Sequence, residues 1–168
     1  MTRKETTDFL GKLLIQTRLG NGCWAKEVSI DYGTTDVRRV DFIQFKPAGV
    51  VSASEIEKGI FICYEVKSCK ADFESGFGRN FIAEKNYFVM PMTTYKEVIQ
   101  DIPNGIGVLV PIPENTGNTN PERYAEFKNP TELTDEIYWK LWAVRHPREQ
   151  MRKKSMTELL FCMLRSGQ

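Results

Sequence analysis

Between Gly59 and Ala71 the chain reads GIFICYEVKSCKA, an apolar run whose alternate positions differ in chemistry. Successive side chains of an extended chain point to opposite faces. Ile60, Ile62, Tyr64 and Val66 therefore share one face, and Phe61, Cys63, Glu65 and Lys67 share the other. The first face suits a core. The second turns from apolar to charged at its C-terminal end, where open α/β sheets tend to carry their sites. The shorter run Val40 to Phe45 reads the same way, with Val40 and Phe42 on one side and Asp41, Ile43 and Phe45 on the other.

The same reading orders the rest of the chain. Leu10, Leu13, Leu14 and Thr17 recur at helical spacing from about Thr7 to Leu19, with Gly20 as the stop. A strand from about Trp24 to Tyr32 follows, then a turn at Gly33-Thr34-Thr35 and the two strands carrying Asp41 and Glu65. Asp72 and Phe73 open a short helix or loop, with Gly76 and Gly78 marking turns, and Asn86 to Met90 is a strand. Thr94-x-x-Glu97 has the form of a capping box, opening a helix through about Asp101 that Pro103 ends, before a last strand from Gly107 to Pro111. Residues 113–130, rich in Pro, Asn, Thr and Gly, read as a loop or linker. Beyond it, Thr134 to Val144 is expected as a helix with Ile137, Leu141 and Val144 on one side and Trp139 and Trp142 off that stripe. Ser155-x-x-Glu158 opens an apolar final helix containing Met156, Leu159, Leu160, Met163 and Leu164. The predicted class is α/β: a mixed central sheet flanked by helices over residues 1–112, a linker at 113–130, and C-terminal helices at 131–168 packed on that core.

Length and composition narrow the picture. At 168 residues and 41% hydrophobic content the chain can build one substantial core. A net charge of +1 supplies no bulk attraction to polyanions, so phosphate contacts would need local basic clusters. One such cluster is Arg145 to Lys154, RHPREQMRKK, containing Arg148, Arg152 and Lys153; a solvated helix face with a linker explains it as well. Arg38, Arg39, Lys70 and Arg79 lie nearer the charged strand end. Four cysteines without a C-x₂-C pair, and one histidine, exclude an ordinary zinc set. His146 has no nucleophile motif beside it, which removes Cys–His and Ser–His hydrolases. The N-terminus lacks a signal-type apolar region, and no run reaches the roughly 20 apolar residues of a membrane span. A reduced, cytoplasmic setting is expected, with no membrane partner.

Two acids and a lysine on adjacent strands are the set needed to hold a divalent cation beside a water. Carboxylates suit Mg²⁺ or Mn²⁺, and the Val66 carbonyl could add an oxygen between Asp41 and Glu65. Lys67 could orient the attacking water or stabilise developing negative charge. Glu-x-Lys is also a common triplet, and on an exposed strand it is a solvated ion pair worth under about 1 kcal/mol. Here it lies within an otherwise apolar strand, where unpaired charge is costly.

Asp41 followed by Glu65-Val66-Lys67 resembles the PD-(D/E)XK nuclease superfamily, the restriction-endonuclease-like fold. Lys67-Ser68, Ala71-Asp72-Phe73 and Asn86 to Pro91 are similar to its MmcB-like DNA-repair branch and related phage proteins, over about residues 22 to 112. The resemblance implies metal binding by Asp41 and Glu65, catalysis by Lys67, and an additional acid at Glu27. It also directs attention to Asn80, Glu84 and Lys85, where such proteins often add a residue to the site. Asp72 is left with two roles, capping the next helix or orienting Lys67. Val40 stands where the family has proline, and the segment between the two strands is long. The implied function is that of a metal-dependent DNA endonuclease or repair nuclease using Mg²⁺ or Mn²⁺, in a bacterial cell or phage-infected host. DNA is the expected partner, through Arg39, Lys70, Arg79, Lys85, Arg148, Arg152 and Lys153, with homo-oligomerisation left open. The alternatives are an inactive nucleic-acid-binding or accessory protein of the same fold, and an interaction module. A base-stacking role for the tryptophans stands beside simple space filling.

Overall fold

The computed structural model describes residues 1–49 and 52–167. Helix α1 (Arg3–Leu14) begins at a Thr2/Glu5 capping box, four residues before the expected start. It widens into a π-helical turn, Ile15–Leu19, and stops at Gly20, whose φ is +50°. Strands β1 (Cys23–Ile30), β2 (Arg38–Lys46) and β3 (Ile60–Val66) form an antiparallel meander, with the short helix α2 (Ala53–Glu57) between β2 and β3. After α3 (Lys70–Glu74), β4 (Lys85–Val89) joins β3 in parallel; after α4 (Met92–Val98), β5 (Gly107–Pro113) joins β4 in parallel. Helix α5 (Asn120–Lys128), strand β6 (Trp139–Arg145), antiparallel to β5, and helix α6 (Met156–Ser166) complete the chain. The fold is α/β, an open six-stranded mixed sheet in the order β1 to β6 with helices on both faces.

Both faces are covered, which explains why β3 and β5 read as nearly continuous apolar runs. On one face α1 places Leu10, Leu13 and Leu14 against Phe42, Ile62, Tyr64, Val66, Val89 and Leu109. On the other, Leu159, Cys162 and Met163 of α6 cover Ile43, Phe61 and Cys63, while Phe73 and the α4 residues Tyr95 and Val98 cover Phe88, Val108 and Val110. Strand β3 thus divides as its alternation predicts, with Ile62, Tyr64 and Val66 toward α1 and Phe61 and Cys63 toward α6.

Three expectations are corrected. Residues 134–144 do not form a helix: Trp139–Arg145 is the sheet's sixth strand. Trp139, Leu141 and Ala143 alternate with Trp142 and Val144 across its two faces, a period of two that the β5 edge captures by pairing. The C-terminal part therefore continues the sheet beyond residue 112, and within 131–168 the helix among the described residues is α6. The expected linker contains α5, opened by a Thr119/Glu122 capping box. Helix α4 begins at Met92 after Pro91, so Thr94 is a buried interior residue and not a cap. At the other end of the chain Ser155 does cap α6, its side chain accepting the Glu158 N–H.

Candidate functional site

The site forms where β2 and β3 part. Their pairing runs from Lys46–Ile60 to Phe42–Tyr64 and ends there. At the next position the ladder is replaced by a side chain, because Asp41 Oδ2 accepts the Val66 N–H at 2.7 Å. The Val66 carbonyl opens toward the same side, since N–H and C=O of one extended residue share an edge. The splay coincides with an irregularity in β1, where Glu27 has φ +49° between the Lys26–Phe42 and Val28–Val40 pairs. Alternation changes phase there in both strands. Val40 consequently packs with Ile43 and Phe45, not with Phe42 on the other face as simple alternation predicts.

Glu65 and Lys67, at the end of β3, are buried to 1% and 3% exposure. Lys67 is held by the backbone, its Nζ donating to the Phe77 carbonyl at 2.5 Å. Asn80 Nδ2 donates to Glu65 Oε1 at 3.3 Å and to the Arg39 carbonyl at 2.8 Å, linking the site to β2. Glu65 Oε2 is buried without a hydrogen-bond partner. Gly78, at φ +61°, closes over the pair: a Cβ there would stand 2.8 Å from Glu65 Oε2 and 2.9 Å from Lys67 Nζ. Acid and amine therefore converge on one point, and only a residue without a side chain fits above them.

Burial raises the pKa of Asp41, against the Val66 hydrogen bond and the charge of Lys67. Glu65 is pushed up to about 8, first by burial and then by the Asp41 charge, with Lys67 pulling the other way. The Asp41 charge raises Glu65, and the Lys67 ammonium opposes the upward shift of both carboxyls. At Asp72, burial pushes upward, but hydrogen bonds from Ser68 and the charges of Lys67 and Arg3 outweigh it and hold the carboxyl below its ordinary value.

Asp41, Val66, Lys67 and Asp72 line a cleft of about 910 Å³ whose rim carries Arg3, Arg38, Arg39 and Arg79. A second groove of about 270 Å³, with Lys12 and Lys26, meets the first at Thr7, Asp41 and Val66. Asp41 thus stands where the two depressions join, the smaller one carrying Asp8 and Glu27 beside its lysines.

The structure brings Asp41, Glu65, Val66 and Lys67 together and places Arg39 and Arg79 on their cleft. Glu27 shares the smaller groove with Asp41, but its side chain is 67% exposed and its ionic partner is Arg39 at 3.9 Å. Among the described residues no three His, Cys, Asp or Glu side chains gather as a metal-binding group. Glu27 therefore does not complete a set of three carboxylates, because its left-handed backbone turns it outward. Lys70 is on α3, paired with Glu74 at 3.5 Å. Lys85 begins β4 beside Ile62, three positions before the level of Glu65, pairs with Glu149 at 3.8 Å and does not line the cleft.

The basic run is no helix. It is an extended segment whose backbone bonds to Gly105, Glu84 and Ile82 fix Arg148, Gln150 and Lys153 at the other end of the sheet. Arg152 is tied to Glu84 at 2.6 Å, so Arg148, Arg152 and Lys153 lie away from the cleft. Asp72 is not the cap of α3; its Oδ2 accepts the Ser68 N–H at 3.0 Å and the Ser68 hydroxyl at 3.1 Å, while Oδ1 takes Arg3 at 2.8 Å. It anchors the residue that follows Lys67. Each tryptophan has a packing partner: Trp139 packs edge-on against Phe9, Trp24 against Phe42, and Trp142 lies under Arg123.

Sequence reasoning missed Arg3, Phe77 and the closing role of Gly78. For Gly78 the signal was present, since Gly-x-Gly-x-Asn marks a loop needing left-handed backbone, but what the loop covers depends on the fold.

Asp41, Glu65 and the Val66 carbonyl are oxygen donors of the kind Mg²⁺ and Mn²⁺ take, commonly with only one or two carboxylates from the protein. The unpartnered Glu65 Oε2 and the Asp41 charge that raises Glu65 are what a bound cation would relieve. These residues fit such an ion.

No helix among the described residues is long and apolar enough to cross a membrane. No protein-family model matches the chain, and no curated protein matches it in sequence. Among solved structures it is similar to the SPO1766 protein of unknown function from Silicibacter pomeroyi, at 16% identity and a TM-score of 0.53, over 94% of this chain and 80% of that one. At that identity the likeness is one of fold: the α/β architecture is shared with a protein of unknown function.

Proposed function

We propose that this protein is a metal-dependent phosphodiesterase acting on nucleic acid, a DNA nuclease of the PD-(D/E)XK type. The observation that carries the reading is the meeting of Asp41 and Lys67, which line an arginine-rimmed cleft, with the buried Glu65, whose carboxyl is raised by burial and by the Asp41 charge. Asp41, Glu65 and the Val66 carbonyl would hold Mg²⁺ or Mn²⁺, which supplies a Lewis acid for the phosphate and a water of lowered pKa. Lys67 keeps an ammonium beside these acids, where it can orient water and stabilise negative charge developing on the phosphate. Its own position is set by the Phe77 carbonyl. Arg3, Arg38, Arg39 and Arg79 bring to the cleft the basic groups that a net charge of +1 does not, the first three in ion pairs with Asp72, Asp31 and Glu27. The free cysteines Cys23, Cys63, Cys69 and Cys162 favour a reduced, cytoplasmic setting.

One observation favours a second reading, that of a nucleic-acid-binding accessory protein without turnover. Lys67 is already satisfied by a backbone carbonyl, and Gly78 lies directly over Glu65. Cleavage of labelled single-stranded, duplex and branched DNA with Mn²⁺ decides between the two. The nuclease reading expects Asp41→Ala and Lys67→Ala each to lose at least about 100-fold in rate. It also expects calorimetric Mn²⁺ binding to vanish in Asp41→Ala and persist in Lys67→Ala. DNA binding by all three proteins with cleavage by none supports the accessory reading.

A further inference from the structure

A large aromatic side chain left in water forgoes about 1.5–3 kcal/mol of burial, so an exposed ring beside a binding cleft calls for a reason. Phe77 is 80% exposed. It lines the cleft that contains Asp41 and Lys67. The phenylalanines on either side of it, Phe73 of α3 and Phe81 before β4, pack on Phe88 instead. Gly76 and Gly78 flank it in left-handed conformations, φ +77° and +61°, and its carbonyl is tied to Lys67 Nζ at 2.5 Å. The ring is therefore presented to solvent from a backbone point fixed to the candidate catalytic lysine.

Two other exposed rings have different surroundings. Tyr138 stands in a groove with Glu114 and Glu136, whose charges repel phosphate. Tyr32 has the Arg165 guanidinium 4.6 Å from its ring centroid. Around Phe77 the cleft carries Arg3, Arg38, Arg39 and Arg79. Of these, Arg79 is braced by the Phe73 carbonyl at 3.0 Å and stacks over the Phe73 ring at 4.7 Å. A free aromatic face next to a positive groove is the arrangement that binds a nucleic-acid strand through its phosphates and an unstacked base.

We infer that Phe77 is a base-stacking platform and that the cleft takes nucleic acid whose bases are unpaired next to the bound phosphate, as in a single strand or flap, in preference to continuous duplex. In a duplex the base faces are covered by neighbouring bases, so only an unpaired base can lie against this ring. The inference rests on the nucleic-acid reading of the same cleft and specifies its substrate class.

Binding without divalent metal tests it, using the full chain and a labelled oligonucleotide presented unpaired or as a blunt duplex of the same sequence. The unpaired form is expected to bind more tightly. Phe77→Ala is expected to weaken that binding about 5- to 150-fold, the range of one base–aromatic stack, and to leave duplex binding unchanged. Phe77→Trp is expected to restore it, with quenching of the added indole fluorescence by the unpaired strand. An equal loss on both forms, or no loss on either, overturns the inference. Failure of the nuclease reading looks different: Phe77-dependent binding persists while no metal yields cleavage. Conversely, cleavage of blunt duplex that is indifferent to Phe77→Ala sinks the stacking role and leaves the hydrolytic role intact.

Discussion

Asp41 Oδ2 accepts the backbone N–H of Val66 at 2.7 Å, so a side chain of β2 completes the hydrogen bonding of β3 where the two strands separate. The same contact holds the carboxylate of one strand against the Glu65-Val66-Lys67 end of the other. Asp41 thus belongs both to the sheet and to the candidate site.

That double role separates two substitutions. Asp41→Ala leaves the Val66 N–H without its acceptor, and urea unfolding is expected to show a loss of about 1–3 kcal/mol. Asp41→Asn keeps a carbonyl oxygen that can accept the bond, so most of that stability should return while calorimetric Mn²⁺ binding does not. Recovery of both in Asp41→Asn would mean that the carboxylate charge is irrelevant to the site.

The pH dependence of stability should carry the signature of Glu65. Its pKa is raised from an ordinary 4.5 to about 8 by burial and by Asp41. Between those values the folded protein holds a proton that the unfolded chain has released, so stability falls as pH rises, by up to about 1.4 kcal/mol per pH unit. Thermal melts of metal-free protein from about pH 5 to about pH 8 should therefore show a declining midpoint. Glu65→Gln should flatten the decline, and Mg²⁺ should raise the midpoint more at the alkaline end. A midpoint independent of pH in this window would show that Glu65 is ionised at little cost. Asp72, held below its ordinary value, acts in the opposite sense and only at more acidic pH.

Gly78 and Gly76 provide a matched pair. Both have positive φ, but a Cβ at Gly76 meets nothing within 4 Å, whereas at Gly78 it meets Glu65 Oε2 and Lys67 Nζ. Alanine at either position should cost about 1–2 kcal/mol of backbone strain. Only Gly78→Ala should also weaken Mn²⁺ binding, because the added methyl forces acid and amine apart. Equal Mn²⁺ affinity in the two variants would place the loop away from the cation's ligands.

Much of the site was readable before folding because strand alternation is local. The faces of β3 follow from a period of two, so Glu65 and Lys67 fall together whatever surrounds them. The order of the core elements was legible for the same reason, as was Ser155, a capping signal confined to four residues. The Gly76 and Gly78 turns were equally local.

Other features depend on residues far apart in the chain and could not be read that way. Residues 139–145 satisfy helical and extended periodicities alike, and the open edge of β5 makes them a strand. The basic residues Arg148, Arg152 and Lys153 look continuous with the site's positive charge until the 82–84 segment and Gly105 pin them at the other end of the sheet. Glu27 resembles a third ligand in sequence, yet its left-handed backbone turns it to solvent and shifts the phase of Val40. Alternation assigns each side chain to a face, but the strand separation that brings Asp41 to Val66, and the loop that sets Phe77 and Gly78 over Lys67, arise only when distant segments pack, because hydrogen bonds and burial there link partners from 10 to 25 positions apart.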